Sequence, residues 1–297
     1  MRWLWIFVDG VGLGPAVPTN PLATTPLPTL ERLLEGAPLT IERLGGASRW
    51  RGAEATLDAA DATFGHPGLP QSATGQIALL TGANPVRCFG RPFGPWVPTT
   101  LRPWFLRVNL LRLLGRRGRR LTWLHPLRVN PRRRPPAFPL AAASARLQPP
   151  LQPLPTGDFG AADPTALARA VLAQSQGADL AVLVHYGLDL LAHRAPPVAL
   201  ARGLRAFDRF LGTLLAERPD DLGIVLTSDH GHVEDPRGAH TRHPVPVLWI
   251  GPFPPTPVVS LGHFASTLGD ALGVEVAPTD DDERQRLDPV GSGALRS

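Results

Sequence analysis

Four short segments of this chain are almost continuously apolar: LWIFV (4–8), LAVLV (180–184), LGIVLT (222–227) and VPVLWI (245–250). A strand with one wet face alternates apolar and polar residues, so runs of this kind describe strands covered on both faces. Stretches with helical apolar spacing lie between and after them: PTALARAVLAQSQ (164–176), VALARGLRAFDRFLGTLLAER (198–218) and HFASTLGDALG (263–273). Alternation of strand and helix predicts an α/β fold, a doubly wound and mostly parallel central sheet with helices on both faces.

Residues 86–160 break the pattern. They hold much of the arginine and proline, including GRRGRR (115–120) and NPRRRPP (130–136), and end in the Pro-rich LQPPLQPLP (147–155). Residues 1–85 and 161–297 are therefore expected to build the core, with 86–160 inserted as a small Arg/Pro-rich cap or lid. Trp104, Phe105 and Trp123 in that insert read as core residues. The polar tail after about residue 277 is expected to fray.

Composition excludes several functions. All 30 basic Lys/Arg positions are arginine, which removes Schiff-base chemistry and lysine-dependent phosphate loops. The single cysteine, Cys88, cannot form an internal disulfide and fits a reducing compartment. The N-terminal apolar run is too short for a signal peptide, and no segment approaches the ~20 apolar residues that span a bilayer. A cytoplasmic protein without membrane attachment is expected.

Acids and histidines cluster where the strands end. Asp9 closes the first run, Asp189 and His193 follow the second in HYGLDLLAH, and Asp229 and His230 follow the third in SDHGH. His240 and His243 precede the fourth in GAHTRHPVP. Open α/β sheets form their sites outside the strands' carboxyl ends. Asp189 and His193, four apart, share a helical face and can grip one ion; Asp229 and His230 can converge from a loop. A mixed Asp/His set without sulfur suits zinc, manganese or a related divalent ion, and there are ligands enough for two. Upstream, LPQSATGQIALLTG (69–82) turns from loop into apolar helix at Ser72 and Thr74. Either hydroxyl there serves as a helix cap or as a nucleophile where negative charge is welcome.

The motifs FVDGVGLG, QSATGQ, DLLAH, SDHGH and AHTRHPVP occur in the order and spacing of the alkaline phosphatase superfamily. They most resemble its branch of cofactor-independent phosphoglycerate mutase and phosphopentomutase, especially the small bacterial metalloenzyme-domain proteins. The resemblance covers both ends of the chain and is weak across the insert. It implies that Asp189, His193 and His240 hold one metal, and that Asp9, Asp229 and His230 hold a second, which Ser72 also touches. It selects Ser72, three residues before Gly75, as nucleophile over Thr74. It implies two divalent ions, manganese or zinc with magnesium as a further candidate, and a phosphoserine intermediate formed from a small phosphorylated substrate. Relatives often carry Asn at the position of His232; it and His243 are expected to support the ligands or to be plain loop residues. His66 and His125 are expected to be structural; His185 ends the second strand and could approach the site, but nothing in the sequence forces it there.

The same residues admit two rival readings. Gly10, Gly12 and Gly14 resemble a dinucleotide fingerprint, but Pro15 stands where its third glycine belongs and Asp9 precedes the first. The other is a non-catalytic metal-binding protein whose arginine-rich insert binds nucleic acid or another polyanion. Nucleic acid is disfavoured, because the insert lacks the interleaved aromatics of a stacking platform. The leading expectation is a dinuclear metal-dependent phosphoryl-transfer enzyme, phosphoester hydrolase or phosphomutase-like. The resemblance implies that the mutases carry a larger accessory domain and a lysine near the phosphate; the short insert and missing lysine here therefore point to hydrolysis, or to a mutase that uses arginine instead.

Overall fold

The structure, a computed structural model, describes residues 1–124, 138–144, 163–251, 254 and 256–276. NPRRRPP, the Pro-rich linker, His125 and the tail after 277 lie outside the described residues.

Seven strands form one sheet: β1 (Arg2–Val8), β2 (Arg49–Arg51), β3 (Ala55–Ala60), β4 (Leu121–Leu124), β5 (Leu180–His185), β6 (Leu222–Thr227) and β7 (Val245–Ile250). Their order is β2-β3-β7-β6-β1-β5-β4. β4, β5, β1 and β6 are mutually parallel, and β7 pairs antiparallel with both β6 and β3.

The continuous apolar runs have the expected cause. In β1, Trp3, Trp5 and Phe7 pack with the Ser72–Thr81 and Phe264–Ala271 helices. Leu4, Ile6 and Val8 point the other way, into helices Pro164–Ser175 and Pro197–Glu217. Each large side chain so buried contributes about 1.5–3 kcal/mol. The helical face of 197–217 repeats at Leu200, Leu204, Phe207, Leu211 and Leu214, all buried, which turns its apolar stripe onto the sheet.

The strand at 245–250 differs from the parallel expectation, and its direction matters for the site. β6 ends at Thr227 and β7 begins at Val245, with Thr227 opposite Val247. Residues 228–244 therefore leave and re-enter the sheet at one edge. A parallel β7 would have put His240 at the far edge from Asp229.

The described part of 86–160 is continuous with the core. Leu121–Leu124 adds β4 alongside β5, helix Leu110–Arg116 packs against it, and helix Arg102–Val108 packs against Leu110–Arg116 and the Ser72–Thr81 helix. Trp104, Phe105 and Trp123 are buried, as their apolar setting predicted. Among the described residues, no helix is long and apolar enough to cross a membrane.

Candidate metal centre

Four segments meet at the edge where β1, β5 and β6 end. Asp9 follows β1, and Gly10 turns the chain away at φ +76°, a conformation that favours glycine. A Cβ on Gly10 would lie 2.6 Å from Asp189 Oδ1, so the glycine also lets Asp189 approach. Asp189 and His193 lie on the Gly187–Arg194 helix directly after β5. Asp229, His230 and His232 follow β6, and His240 stands on the return towards β7.

The stretch QSATGQ begins the Ser72–Thr81 helix, all ten residues of which are buried. Neither hydroxyl caps it: Gln71 holds the cap position, without a side-chain hydrogen bond. Ser72, Gly75 and Gln76, three and four apart, share one face. Gly75 lets that face touch the Asp229 backbone, because a Cβ there would sit 2.2 Å from Asp229 O. Gln76 Nε2 donates to Asp229 Oδ2 (2.9 Å), and Ser72 Oγ lies 3.1 Å from His230 Nε2. Thr74 turns away and clamps Phe93, accepting from its N–H (2.8 Å) and donating to its carbonyl (3.0 Å).

The expected ligands form two groups, each with donor atoms within 4.8 Å of one another. The inner group is Asp9, Asp229 and His230, all buried. His230 Nε2 lies 3.1 Å from Asp9 Oδ1 and 3.8 Å from Asp229 Oδ1. The outer group is Asp189, His193, His240 and also His232. Asp189 Oδ2 is 3.3 Å from His193 Nε2, and Asp189 Oδ1 is 2.8 Å from His232 Nδ1. The His240 ring stacks on His230, centroids 3.7 Å apart, and joins the groups.

Backbone carbonyls orient two of the imidazole rings. His240 Nδ1 donates to Pro70 O (2.8 Å) and His230 Nδ1 to Gly231 O (3.3 Å). Each Nε2 is thereby turned to the centre, the arrangement that orients imidazole ligands.

Charge in the inner group is unbalanced. Burial, and then Asp229, pushes the Asp9 carboxyl well above the carboxylate range. Burial opposes a charged His230, but Asp229 and Asp9 outweigh it and lift the imidazole to about 10. Protons thus neutralise a cluster that a cation would neutralise in their place. Burial, and then His230, lowers His240 to about 4, so it is neutral and able to ligate near pH 7. Among the described residues, none hydrogen-bonds to the buried His232 Nε2. An orphaned imidazole nitrogen beside two Asp/His donor sets fits divalent cations.

Glu234 holds these loops together and has no counterpart among the expected site residues. Wholly buried, it accepts from Gly12 N (2.9 Å), His232 N (2.9 Å), the Thr241 hydroxyl and His243 Nδ1 (3.2 Å). His243 therefore supports the site through Glu234, and joins neither donor group. Gly12 and Gly231 leave the room Glu234 needs: a Cβ on either would sit within 2.2 Å of its Oε1. This is the local use of the glycines after β1. His66 Nδ1 accepts from Gly68 N (2.8 Å) in a turn. His185 stacks on Phe207 with rings 6° from parallel, and burial lowers it to about 3.

Two Asp/His donor groups at the strand ends of a mixed sheet define a class of α/β protein with a candidate divalent-metal site. Residues 161–273 match the family model described as the Metalloenzyme superfamily. A phosphopentomutase of Chromohalobacter salexigens is 50% identical over 64 residues, covering 21% of this chain and 15% of that protein. The match spans far less than two thirds of that relative's length. A phosphoglycerate mutase of Leishmania mexicana, solved at low cobalt concentration, shares the fold. Its TM-score is 0.59 at 12% identity, covering 94% of this chain and 96% of that one. The alkaline phosphatase of the Antarctic bacterium TAB5 gives 0.54 at 11% identity, covering 92% and 98%. Part of the chain is thus similar to the Metalloenzyme superfamily and to a phosphopentomutase, and its fold is that of the phosphoglycerate mutase and alkaline phosphatase structures.

Proposed function

We propose that the protein is a metal-dependent phosphoryl-transfer enzyme that works through a phosphoserine at Ser72. The observation that carries this reading is the position of Ser72 Oγ, 3.1 Å from His230 Nε2 at the edge of the inner donor group. Asp9, Asp229 and His230, with Ser72, would hold one divalent ion; Asp189, His193 and His240 would hold the other. Manganese and zinc suit these donors best, with magnesium a further candidate. Bound there, the ions would supply positive charge that favours the serine alkoxide and offsets the charge of a phosphate ester.

The chain's own residues supply the rest. Ser72 is the first residue of its helix, so backbone N–H groups of that first turn favour negative charge on Oγ. The His230 contact holds Oγ in one place, and Gln76 and Gly75 hold the helix against Asp229. Oγ attacks phosphorus in line: the Oγ–P bond forms, the ester P–O bond breaks, and the leaving alcohol takes up a proton. Water then attacks the phosphoserine, releasing phosphate and returning the proton to Ser72. Transfer to a second hydroxyl would give a mutase in place of a hydrolase. The mutases that the motifs resemble place a lysine near the phosphate, and its absence here favours hydrolysis, or a mutase that uses arginine instead. Gln71, the neighbour of Ser72, lines a cavity of about 690 Å³ with Leu69, Arg91, Phe93 and Trp96, which would take the organic part of a small phosphorylated substrate.

The experiment is hydrolysis of an aryl phosphate by protein loaded with manganese or zinc. Turnover that vanishes in Ser72→Ala, with a phosphorylated Ser72 peptide trapped in the wild type, is expected. Equal turnover by Ser72→Ala would refute the proposal.

A further inference from the structure

The outer donor group holds one more imidazole than the motifs assign. His232 is 0% exposed, its Nδ1 lies 2.8 Å from Asp189 Oδ1, and its ring centroid is 4.1 Å from that of His193. Its Nε2 is buried, and none of the described residues hydrogen-bonds to it. Leaving such a nitrogen unsatisfied costs about 1–3 kcal/mol, so its retention calls for a ligand. The backbone gives the ring little freedom to leave: His232 N donates to Glu234 (2.9 Å) and Val233 N to Gly10 O (2.8 Å).

We propose that His232 is a fourth protein ligand of the outer cation, and that the resulting set of three imidazoles and one carboxylate selects zinc over manganese. The inference rests on the metal-binding half of the function proposed above and is independent of turnover. Zinc prefers four donors in a tetrahedral arrangement and accepts imidazole readily, whereas manganese and magnesium favour oxygen-rich, six-coordinate sites. The inner group, two carboxylates and one imidazole, lacks this bias.

A merely orienting role for His232, holding Asp189 in place, is separated by His232→Asn. The Asn amide can still donate to Asp189 but offers no imidazole nitrogen. Metal-free full-length protein is titrated with zinc and with manganese against a chromophoric chelator, and with cobalt(II) followed by its visible absorption. The wild type is expected to take zinc more tightly than manganese at one of its sites and to show the intense bands of four-coordinate cobalt. His232→Asn is expected to lose at least ~10-fold in zinc affinity at that site, with those bands weakened. Unchanged zinc affinity and an unchanged cobalt spectrum in His232→Asn would overturn the inference and leave the phosphoryl-transfer proposal standing. A wild-type cobalt spectrum of six-coordinate type alone overturns it too, whether or not the variant folds. Wild-type protein that binds no divalent ion overturns both.

Discussion

Gly75→Ala is the most informative small change in this protein. A Cβ at position 75 would lie 2.2 Å from the Asp229 carbonyl oxygen and 2.7 Å from Asp229 Cβ. Real Cβ atoms keep at least 3.0 Å, so the helix or the Asp229 loop must retreat by about 0.8 Å. Neither atom belongs to the flexible end of a side chain, and Asp229 is fully buried, so neither can swing aside. Forcing a methyl into such a contact costs about 1–3 kcal/mol. The retreat also opens the two contacts that join helix to loop, Ser72 Oγ to His230 (3.1 Å) and Gln76 Nε2 to Asp229 (2.9 Å). Misplacement of a reacting group by ~1 Å costs about 100-fold in rate. Urea denaturation and aryl phosphate hydrolysis, measured on the same preparation, should show both losses. Gly115→Ala is the control: nothing lies within 4 Å of its Cβ position on the Leu110–Arg116 helix, so the change should stabilise by about 0.4–1 kcal/mol. A Gly75→Ala protein as stable and active as the wild type would refute the close approach that assembles the centre.

Three further outcomes follow from the site. Cation affinity should rise with pH between 6 and 8. His230, lifted to about 10 by Asp229 and Asp9 against its burial, is protonated across that range, and the ion must displace its proton. Each proton released gives about tenfold in affinity per pH unit, so calorimetric titration showing no pH dependence would count against inner-site binding. Glu234→Ala should cost at least ~2 kcal/mol in urea denaturation, because the buried Gly12 and His232 N–H groups lose their acceptor. Glu234→Gln, which keeps a carbonyl oxygen, should lose less; equal stability of both variants with the wild type would remove Glu234 as the strut. Finally, ions that bind only the folded chain stabilise it, so the chelated protein should melt lower than the metal-loaded one in a thermal scan.

Much of this was legible in the chain because burial on both faces writes itself as unbroken apolar runs. β1, β5, β6 and β7 were all marked in this way. β2 (RWR) and β3 (ATLDAA) were not: the outermost β2 is only partly buried, and β3 is rich in alanine. An apolar run also carries no direction. Only the demand that His240 and Asp229 share an edge distinguishes an antiparallel β7. The LTWL stretch was visible as a strand fragment, but nothing local says that it pairs with Leu180–Leu183. At the site, the motif residues meet because each sits within a few residues of a strand or helix end, where sequence position fixes spatial position. His232 and Glu234 escaped that logic. Their roles depend on which way a loop side chain points and on space left by Gly12 and Gly231, and neither is expressed in spacing.

The most direct test is anomalous diffraction from crystals of the protein grown with zinc or manganese. Two peaks are predicted, one among Asp9, Asp229, His230 and Ser72 Oγ, the other among Asp189, His193 and His240. Density elsewhere, or no ordered ion near Ser72 in a well-folded crystal, would contradict the account.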